Sequence, residues 1–183
     1  QLTRLQGTLG SPSPSWPPGT VVQQNRHYLV AHRPLTWDEA DLIAASGKGH
    51  LAVASDILEM NFIRDTLISA LGVDESAWRG GRRNDETWYW VTREPWKQAS
   101  WQENAPDGGP SDNALHFKNS SSDPGWNDIS PDSQKVEAFL IEWSNDALNF
   151  ANSKEASTTP NAGDSGSARK NIIAWRGIIR KSL

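Results

Sequence analysis

The chain has no cysteine among its 183 residues. This absence excludes a disulfide framework, thiol chemistry and a cysteine-ligated metal site, so stability must come from packing and from any bound ion. Basic residues are also few: 18 lysines and arginines stand against 22 aspartates and glutamates, for a net charge of -4. Such a chain lacks the positive field that attracts nucleic acid or an anionic membrane surface. No apolar run approaches the ~20 residues of a membrane span.

Tryptophan, in contrast, is abundant, with ten residues. Each indole can bury roughly 150–250 Å², so a few of them can build the core of a chain that is only 36% hydrophobic. Indole rings also provide flat apolar surface for a ligand. The composition therefore suits carbohydrate binding as well as core packing.

The composition divides the chain into one domain and its flanking segments. Residues 1–19 are rich in Pro and Ser and predict an extended linker, and residues 146–168, rich in Ser, Thr, Asn and Gly, predict a second one. The domain is predicted at residues 20–145. The Ile-rich residues 169–183 predict a strand docked on the domain or a segment that contacts a neighbouring module. Because Gln1 begins the sequence without a signal pattern, we expect either that a signal peptide has been removed or that the chain is part of a larger multidomain protein.

Two helices are predicted in the first half of the domain. Thr36 and Glu39 form the pattern of a capping box, and apolar residues follow at helical spacing until Ser46 and Gly47. Ser55 or Asp56 can cap the second helix, which ends before Gly72. Its predicted buried stripe contains Ile57, Met60, Ile63 or Arg64, Leu67, and Ala70 or Leu71.

Short strands are predicted before, between and after these helices. Residues 21–31 and 50–54 precede the two helices, and apolar segments near residues 78, 88–91, 115–117 and 139–141 follow them. Helices first and a run of strands afterwards indicate an α+β domain.

A long loop between Trp101 and Leu115 collects hard oxygen donors, and the segment 126–128 adds two more. Calcium takes six to eight such oxygens and tolerates irregular geometry. The sequence therefore predicts a calcium site if the two segments meet, although Asp, Asn, Gly and Pro are also the ordinary residues of turns. The donors are Glu103, Asn104, Asp107, Asp112, Asn113, Asn127 and Asp128.

Several motifs around this loop resemble those of the C-type-lectin-like domain, in the same order and spacing. The resemblance covers about 125 residues and implies two helices packed on small antiparallel sheets, with a long ligand-binding loop. The motifs are Trp-Asp-Glu-Ala at 37–40, Gly-His-Leu-Ala at 49–52, Trp-Arg-Gly at 78–80, Trp-Tyr-Trp at 88–90, Trp-Asn-Asp at 126–128 and Phe-Leu-Ile-Glu at 139–142.

The resemblance also implies two disulfides that this chain lacks. The corresponding positions are Ala44 with Ile141, and Ala114 with Pro131. The chain therefore looks like the cysteine-free versions of the domain found in bacterial multidomain proteins. In such a domain, ordinary core packing at Ala44 and Ile141 would replace the disulfide.

Sugar-binding members of the family carry Glu-Pro-Asn or Gln-Pro-Asp in the long loop, with the proline in cis. Here the triplet is Ala105-Pro106-Asp107, so Pro106 is expected to shape the loop while Ala105 provides no ligand. Glu103 or Asn104 could fill that gap. The resemblance implies that calcium is held by Asp107, Asp112, Asn127 and Asp128. It also implies that the sugar contacts Asp107, Asp112 and Asn127. Trp96 and Trp101 border the long loop, and either could stack on a sugar face.

An auxiliary calcium site occurs in some members at the positions of residues 82–86. Here those residues are Arg82, Arg83, Asn84, Asp85 and Glu86. Two positive charges disfavour a second calcium ion at this place.

We therefore expect a calcium-assisted carbohydrate-binding module of a secreted or cell-surface protein, with a glycan as its partner. The alternative is a protein-binding or structural domain of the same fold with a degenerate metal site, whose partner is a surface protein. No catalytic sequence motif is visible, so the chain is not expected to be an enzyme. The third hypothesis is an enzyme in which loop carboxylates act as acid and base.

Overall fold

The computed structural model describes residues 16–97 and 99–144. The predicted second linker, the Ile-rich C-terminal segment and most of the first linker lie outside these residues. In the described residues, two helices and eight strands follow one another. They are β1 (Val21–Gln23), β2 (Arg26–His32), α1 (Trp37–Ser46), β3 (His50–Leu51), α2 (Ile57–Ala70), β4 (Ser76–Asn84), β5 (Thr87–Trp90), β6 (Ala114–Lys118), β7 (Gly125–Ile129) and β8 (Ala138–Ser144).

Both helices begin at the predicted caps. The Thr36 hydroxyl accepts the Glu39 amide, and the Glu39 carboxylate accepts the Thr36 amide, which completes the capping box of α1. Asp56 caps α2 by accepting two amides at 2.9 Å each. The α2 stripe is wrong at one position: Ile57 is 48% exposed, and the Glu59 side chain is buried instead.

The first predicted strand is a hairpin. Gln24 and Asn25 both adopt positive φ angles, 44° and 71°, which turn the chain between β1 and β2. Residues 50–54, predicted as one strand, pair only at His50 and Leu51. Ahead of the hairpin, Trp16 of the predicted first linker stacks on the His27 ring at 3.8 Å.

The strands join in one sheet rather than in several small antiparallel ones. Its order is β1-β2-β8-β4-β6-β7, with β3 added beside β8 and β5 beside β4. The β4–β8 pair is parallel and all other pairs are antiparallel. Residues 138–143 of β8 are buried on both faces, which explains why this last strand lies in the middle of the sheet.

The core has two parts, one for each helix. Met60, Ile63 and Leu67 of α2 belong to a cluster with Trp90 and Trp126. The other cluster joins α1 to the opposite side of the sheet, and it contains both Ala44 and Ile141, the pair at the position of a family disulfide. Both positions are therefore part of the same apolar core cluster.

A group of charged side chains links β2, α2 and β8. The Arg26 guanidinium contacts the Glu142 carboxylate and lies 3.0 Å from that of Glu59. Glu59 also accepts the Tyr28 hydroxyl at 2.7 Å, and Glu142 accepts the Val53 amide at 3.1 Å. Glu142 is 1% exposed, and burial raises the pKa of its carboxyl. Arg26 opposes this effect as the cation in direct contact with the carboxylate.

Candidate functional site

The stem of the long loop pairs with β7. Trp101 forms a parallel bridge with Trp126, the Gln102 amide donates to the Trp126 carbonyl at 2.9 Å, and the Trp126 amide donates to the Ser100 carbonyl at 2.7 Å. The loop therefore leaves the sheet directly beside the strand that carries Asn127 and Asp128. This pairing brings the two oxygen-rich segments of the sequence together.

Asp128 is the anchor of the loop. Its carboxylate accepts the Asp107 amide at 3.0 Å and the Gly108 amide at 3.2 and 3.3 Å. The residue is only 6% exposed. The bonds span 20 and 21 residues of sequence, so they fix the loop tip against β7.

Asp112 approaches the same point from the other side of the loop. A Cβ atom added to Gly108 would lie 2.6 Å from the Asp112 Oδ2 and 2.4 Å from its Cβ. Only a glycine allows this approach, because any side chain at position 108 would overlap Asp112. The side chains of Asp112 and Asp128 therefore both lie beside Gly108.

Asn127 and the triplet complete the set of predicted site residues. The Asn127 Oδ1 accepts the Asp128 amide at 2.8 Å. The Ala105–Pro106 peptide bond is cis. Ala105 contributes no side-chain oxygen, so the loop has one donor fewer than the family pattern.

The donor atoms are of the kind that calcium prefers, but they are fewer than the six to eight oxygens that calcium takes. Asp107, Asp112, Asn127 and Asp128 offer only hard oxygens, the ligands calcium prefers. The buried Asn113 Oδ1 receives no hydrogen bond from the described residues and is a further oxygen beside Asp112. Within residues 16–97 and 99–144, however, no group of three His, Cys, Asp or Glu side chains is arranged to hold a metal ion.

The side chains expected to replace Ala105 lie on the surface. Glu103 and Asn104 are both exposed. The Glu103 amide donates to the Asp123 Oδ2 at 2.6 Å, and the Gln102 side chain donates to the Asp123 carbonyl. Asp123 thus holds the first part of the loop, a role that sequence reasoning missed because this aspartate lies in a Ser-rich turn.

The two arginines at the auxiliary position have different partners. Arg82 forms an ion pair with Asp38 at 3.0 Å and lies 4.6 Å from the Trp37 ring centroid. Arg83 donates to the carbonyls of Gly109 and Asp112 in the long loop. Asn84, Asp85 and Glu86 are exposed at the β4–β5 turn. The place of the auxiliary site is therefore occupied by the chain's own cations.

Trp101 packs within a cluster of tryptophans at the base of the loop. Its ring centroid lies 5.1 Å from that of Trp88 and 6.0 Å from that of Trp126. Trp90 and Trp126 are fully buried, whereas Trp88, Trp96 and Trp101 are partly exposed. Trp88 and Trp96 thus border solvent together with Trp101, a predicted stacking residue.

Comparison with known proteins identifies relatives of this arrangement. The sequence model of the lectin C-type domain family matches residues 33–159. Rat C-type mannose receptor 2 is 30% identical over 100 residues, which cover 52% of this chain and 7% of the receptor. The chain therefore spans a small part of this curated relative.

Solved structures share the fold at low sequence identity. Human lithostathine aligns with a TM-score of 0.64 at 20% identity, over 78% of this chain and 100% of its own. The mouse scavenger receptor C-type lectin carbohydrate-recognition domain aligns at 0.60 and 20%, over 70% and 96%. A calcium-independent type II antifreeze protein aligns at 0.59 and 22%, over 71% and 95%. The predicted α+β fold is confirmed.

Proposed function

Because the chain belongs to the lectin C-type domain family, matched over residues 33–159, we propose that it is a calcium-assisted carbohydrate-binding module. The observation that supports this most directly is that the Asp112 and Asp128 side chains both lie beside the Gly108 backbone. In the described part of the chain, the ion pairs involve neither carboxylate. Two such carboxylates that form no ion pair favour a divalent cation.

Four side chains would hold the ion: Asp107, Asp112, Asn127 and Asp128. A bound calcium ion supplies coordination positions for two neighbouring hydroxyls of a sugar ring. The carboxylates of Asp107 and Asp112 would accept hydrogen bonds from those hydroxyls, and the Asn127 amide group would donate to one of them. Trp101, partly exposed at the base of the loop, would contact the apolar face of the ring.

Asp128 has a second task in this proposal. By accepting the amides of Asp107 and Gly108, its carboxylate keeps the loop tip against β7. The oxygen donors of the loop and of β7 would then lie on the same side of the site before a ligand binds. Such preorganisation reduces the entropy that binding must otherwise overcome.

A second candidate function is a calcium-independent domain that binds protein. It is favoured by the internal use of two donors, because Asp128 accepts loop amides and the Asn127 oxygen accepts the Asp128 amide. The loop is then complete without an ion. Ala105 has no side-chain oxygen to bind calcium, and this also favours a calcium-independent function.

The wider setting of the domain is also part of the proposal. We infer a secreted or cell-surface multidomain protein of the cysteine-free branch of the family, which binds ligands and does not catalyse. No helix in residues 16–97 and 99–144 is long and apolar enough to cross a membrane. The similarity to a receptor of which the chain spans 7% supports the multidomain setting.

A glycan array separates the two candidates. The protein is applied with millimolar calcium and again with EDTA, beside the variant Asp112→Ala and the exposed control Asp132→Ala. Lectin function predicts hits that require calcium, that Asp112→Ala loses and that Asp132→Ala keeps. A domain that binds protein without calcium gives no calcium-dependent hit.

A further inference from the structure

The loop that carries the proposed site is held at its base by a residue outside the oxygen-rich segments. The backbone of Arg83, near the end of β4, donates its amide to the Asn113 carbonyl at 2.9 Å. Its side-chain Nη2 donates to the Gly109 carbonyl and, at 3.2 Å, to the Asp112 carbonyl. One residue therefore bonds the loop at three positions.

These contacts close a turn of the loop. The Asp112 amide donates to the Gly109 carbonyl at 3.0 Å, so residues 109–112 already form a hydrogen-bonded turn. Arg83 donates to the first and last carbonyls of this turn. Since the Asp112 carboxylate lies against Gly108, the orientation of the turn decides where that carboxylate points.

The guanidinium is itself fixed in place. It lies 5.7 Å from the Trp88 ring centroid, and Trp88 is paired with Arg83 across the β4–β5 hairpin. A planar guanidinium that lies over an indole ring while donating to two carbonyls is well defined in orientation, which a flexible ammonium is not.

We propose that Arg83 is a positioning residue: a fixed cation of the chain that orders the long loop by hydrogen bonds before any ligand binds. The inference rests on the proposed function only in naming the Asp112 carboxylate as what is positioned. The ordering of the loop is a property of the free protein and can be measured without calcium.

The neighbouring Arg82 provides a matched control. It lies on the same strand and carries the same charge, but it binds Asp38 and contacts the Trp37 ring on the side of α1. Arg82→Gln and Arg83→Gln therefore remove one positive charge each from adjacent positions. Only the second removes donors from the loop.

The first test is hydrogen exchange of the Gly108 and Asp112 amides in calcium-free buffer. Arg83→Gln is expected to accelerate their exchange roughly tenfold or more, because charge-assisted hydrogen bonds to the loop are lost. Arg82→Gln is expected to leave these amides unchanged. Arg83→Lys keeps a cationic donor and is expected to recover part of the protection. Unchanged loop exchange in Arg83→Gln, or no recovery in Arg83→Lys, would overturn the proposal.

The second test is calorimetric titration with calcium. Removal of a positive charge alone would tighten calcium binding. The positioning role predicts the opposite: in Arg83→Gln calcium binds more weakly, with a Kd roughly tenfold larger. In Arg82→Gln this weakening is absent. A Kd that is equal or tighter in Arg83→Gln contradicts the positioning of Asp112. If the unaltered protein binds no calcium, the proposed function fails, and the exchange experiment still decides the role of Arg83.

Discussion

The Asp128 carboxylate accepts the backbone amide of Asp107 at 3.0 Å, across 21 residues of sequence. This bond joins β7, the strand that carries Asp128, to the tip of the long loop. It means that Asp128 acts as a structural anchor as well as a candidate ligand. A substitution at Asp128 therefore tests two roles together, while Asp112 offers a cleaner test of the ligand role.

The first prediction separates these roles by stability in the absence of calcium. Asp128→Ala leaves the Asp107 and Gly108 amides without their acceptor, so the free energy of unfolding should fall by about 1–3 kcal/mol. Asp112→Ala removes a carboxylate that makes no side-chain hydrogen bond found among the described residues, and its effect should stay within about 0.5 kcal/mol. Urea unfolding in EDTA measures both. Equal losses would show that Asp128 is no anchor.

The second prediction concerns His116, which is buried between β4 and β7. Burial, with a smaller effect from Lys118, lowers the pKa of this imidazole from 6.5 to about 4. The unfolded chain then binds a proton more readily than the folded one, so stability is lost as the pH falls from 6.5 towards 4, by about 3 kcal/mol in all. His116→Leu should remove this part of the pH dependence in urea unfolding. Parallel curves for the two proteins would refute the assignment.

The third prediction concerns the ion pair of Arg26 and Glu142. Arg26→Met leaves a carboxylate that is 1% exposed without its cation and should cost about 3 kcal/mol in unfolding free energy. The double variant Arg26→Met/Glu142→Gln removes both charges and should lose clearly less than the sum of the single variants. Additive losses would mean that the two groups do not depend on each other.

The fourth prediction compares two glycines. A Cβ atom on Gly80 would lie 2.3 Å from the Leu51 carbonyl oxygen, which belongs to the backbone of β3. Gly80→Ala should therefore destabilise the domain by about 1–3 kcal/mol or more. Gly109 has open space around it, so Gly109→Ala should change stability by less than about 0.5 kcal/mol. Thermal unfolding of both variants is the measurement, and a tolerated Gly80→Ala would contradict the packing.

The helices could be predicted from sequence because their signals are local. The Thr36–Glu39 capping box and the Asp56 cap are patterns of a few neighbouring residues, and the structure contains both. Strand pairing could not be predicted in this way. That β8 lies parallel to β4, in the middle of the sheet, depends on contacts between residues more than 50 positions apart.

The candidate site shows the same division. Its oxygen donors are visible in the sequence, and the family pattern indicates which two segments carry them. The use of the Asp128 carboxylate by two loop amides was not visible, because nothing local to Asp128 indicates it. The different partners of Arg82 and Arg83 could have been anticipated, since consecutive residues of a strand point to opposite faces.

The most direct measurement is a calorimetric titration of the calcium-free protein with calcium, performed on the unaltered chain, on Asp112→Ala and on the control Asp132→Ala. The account predicts saturable binding of one ion to the unaltered protein and the control, and affinity weaker by at least about tenfold in Asp112→Ala, because a charged oxygen ligand is lost. No binding heat at millimolar calcium, or equal affinity in Asp112→Ala, would contradict a calcium site between the long loop and β7.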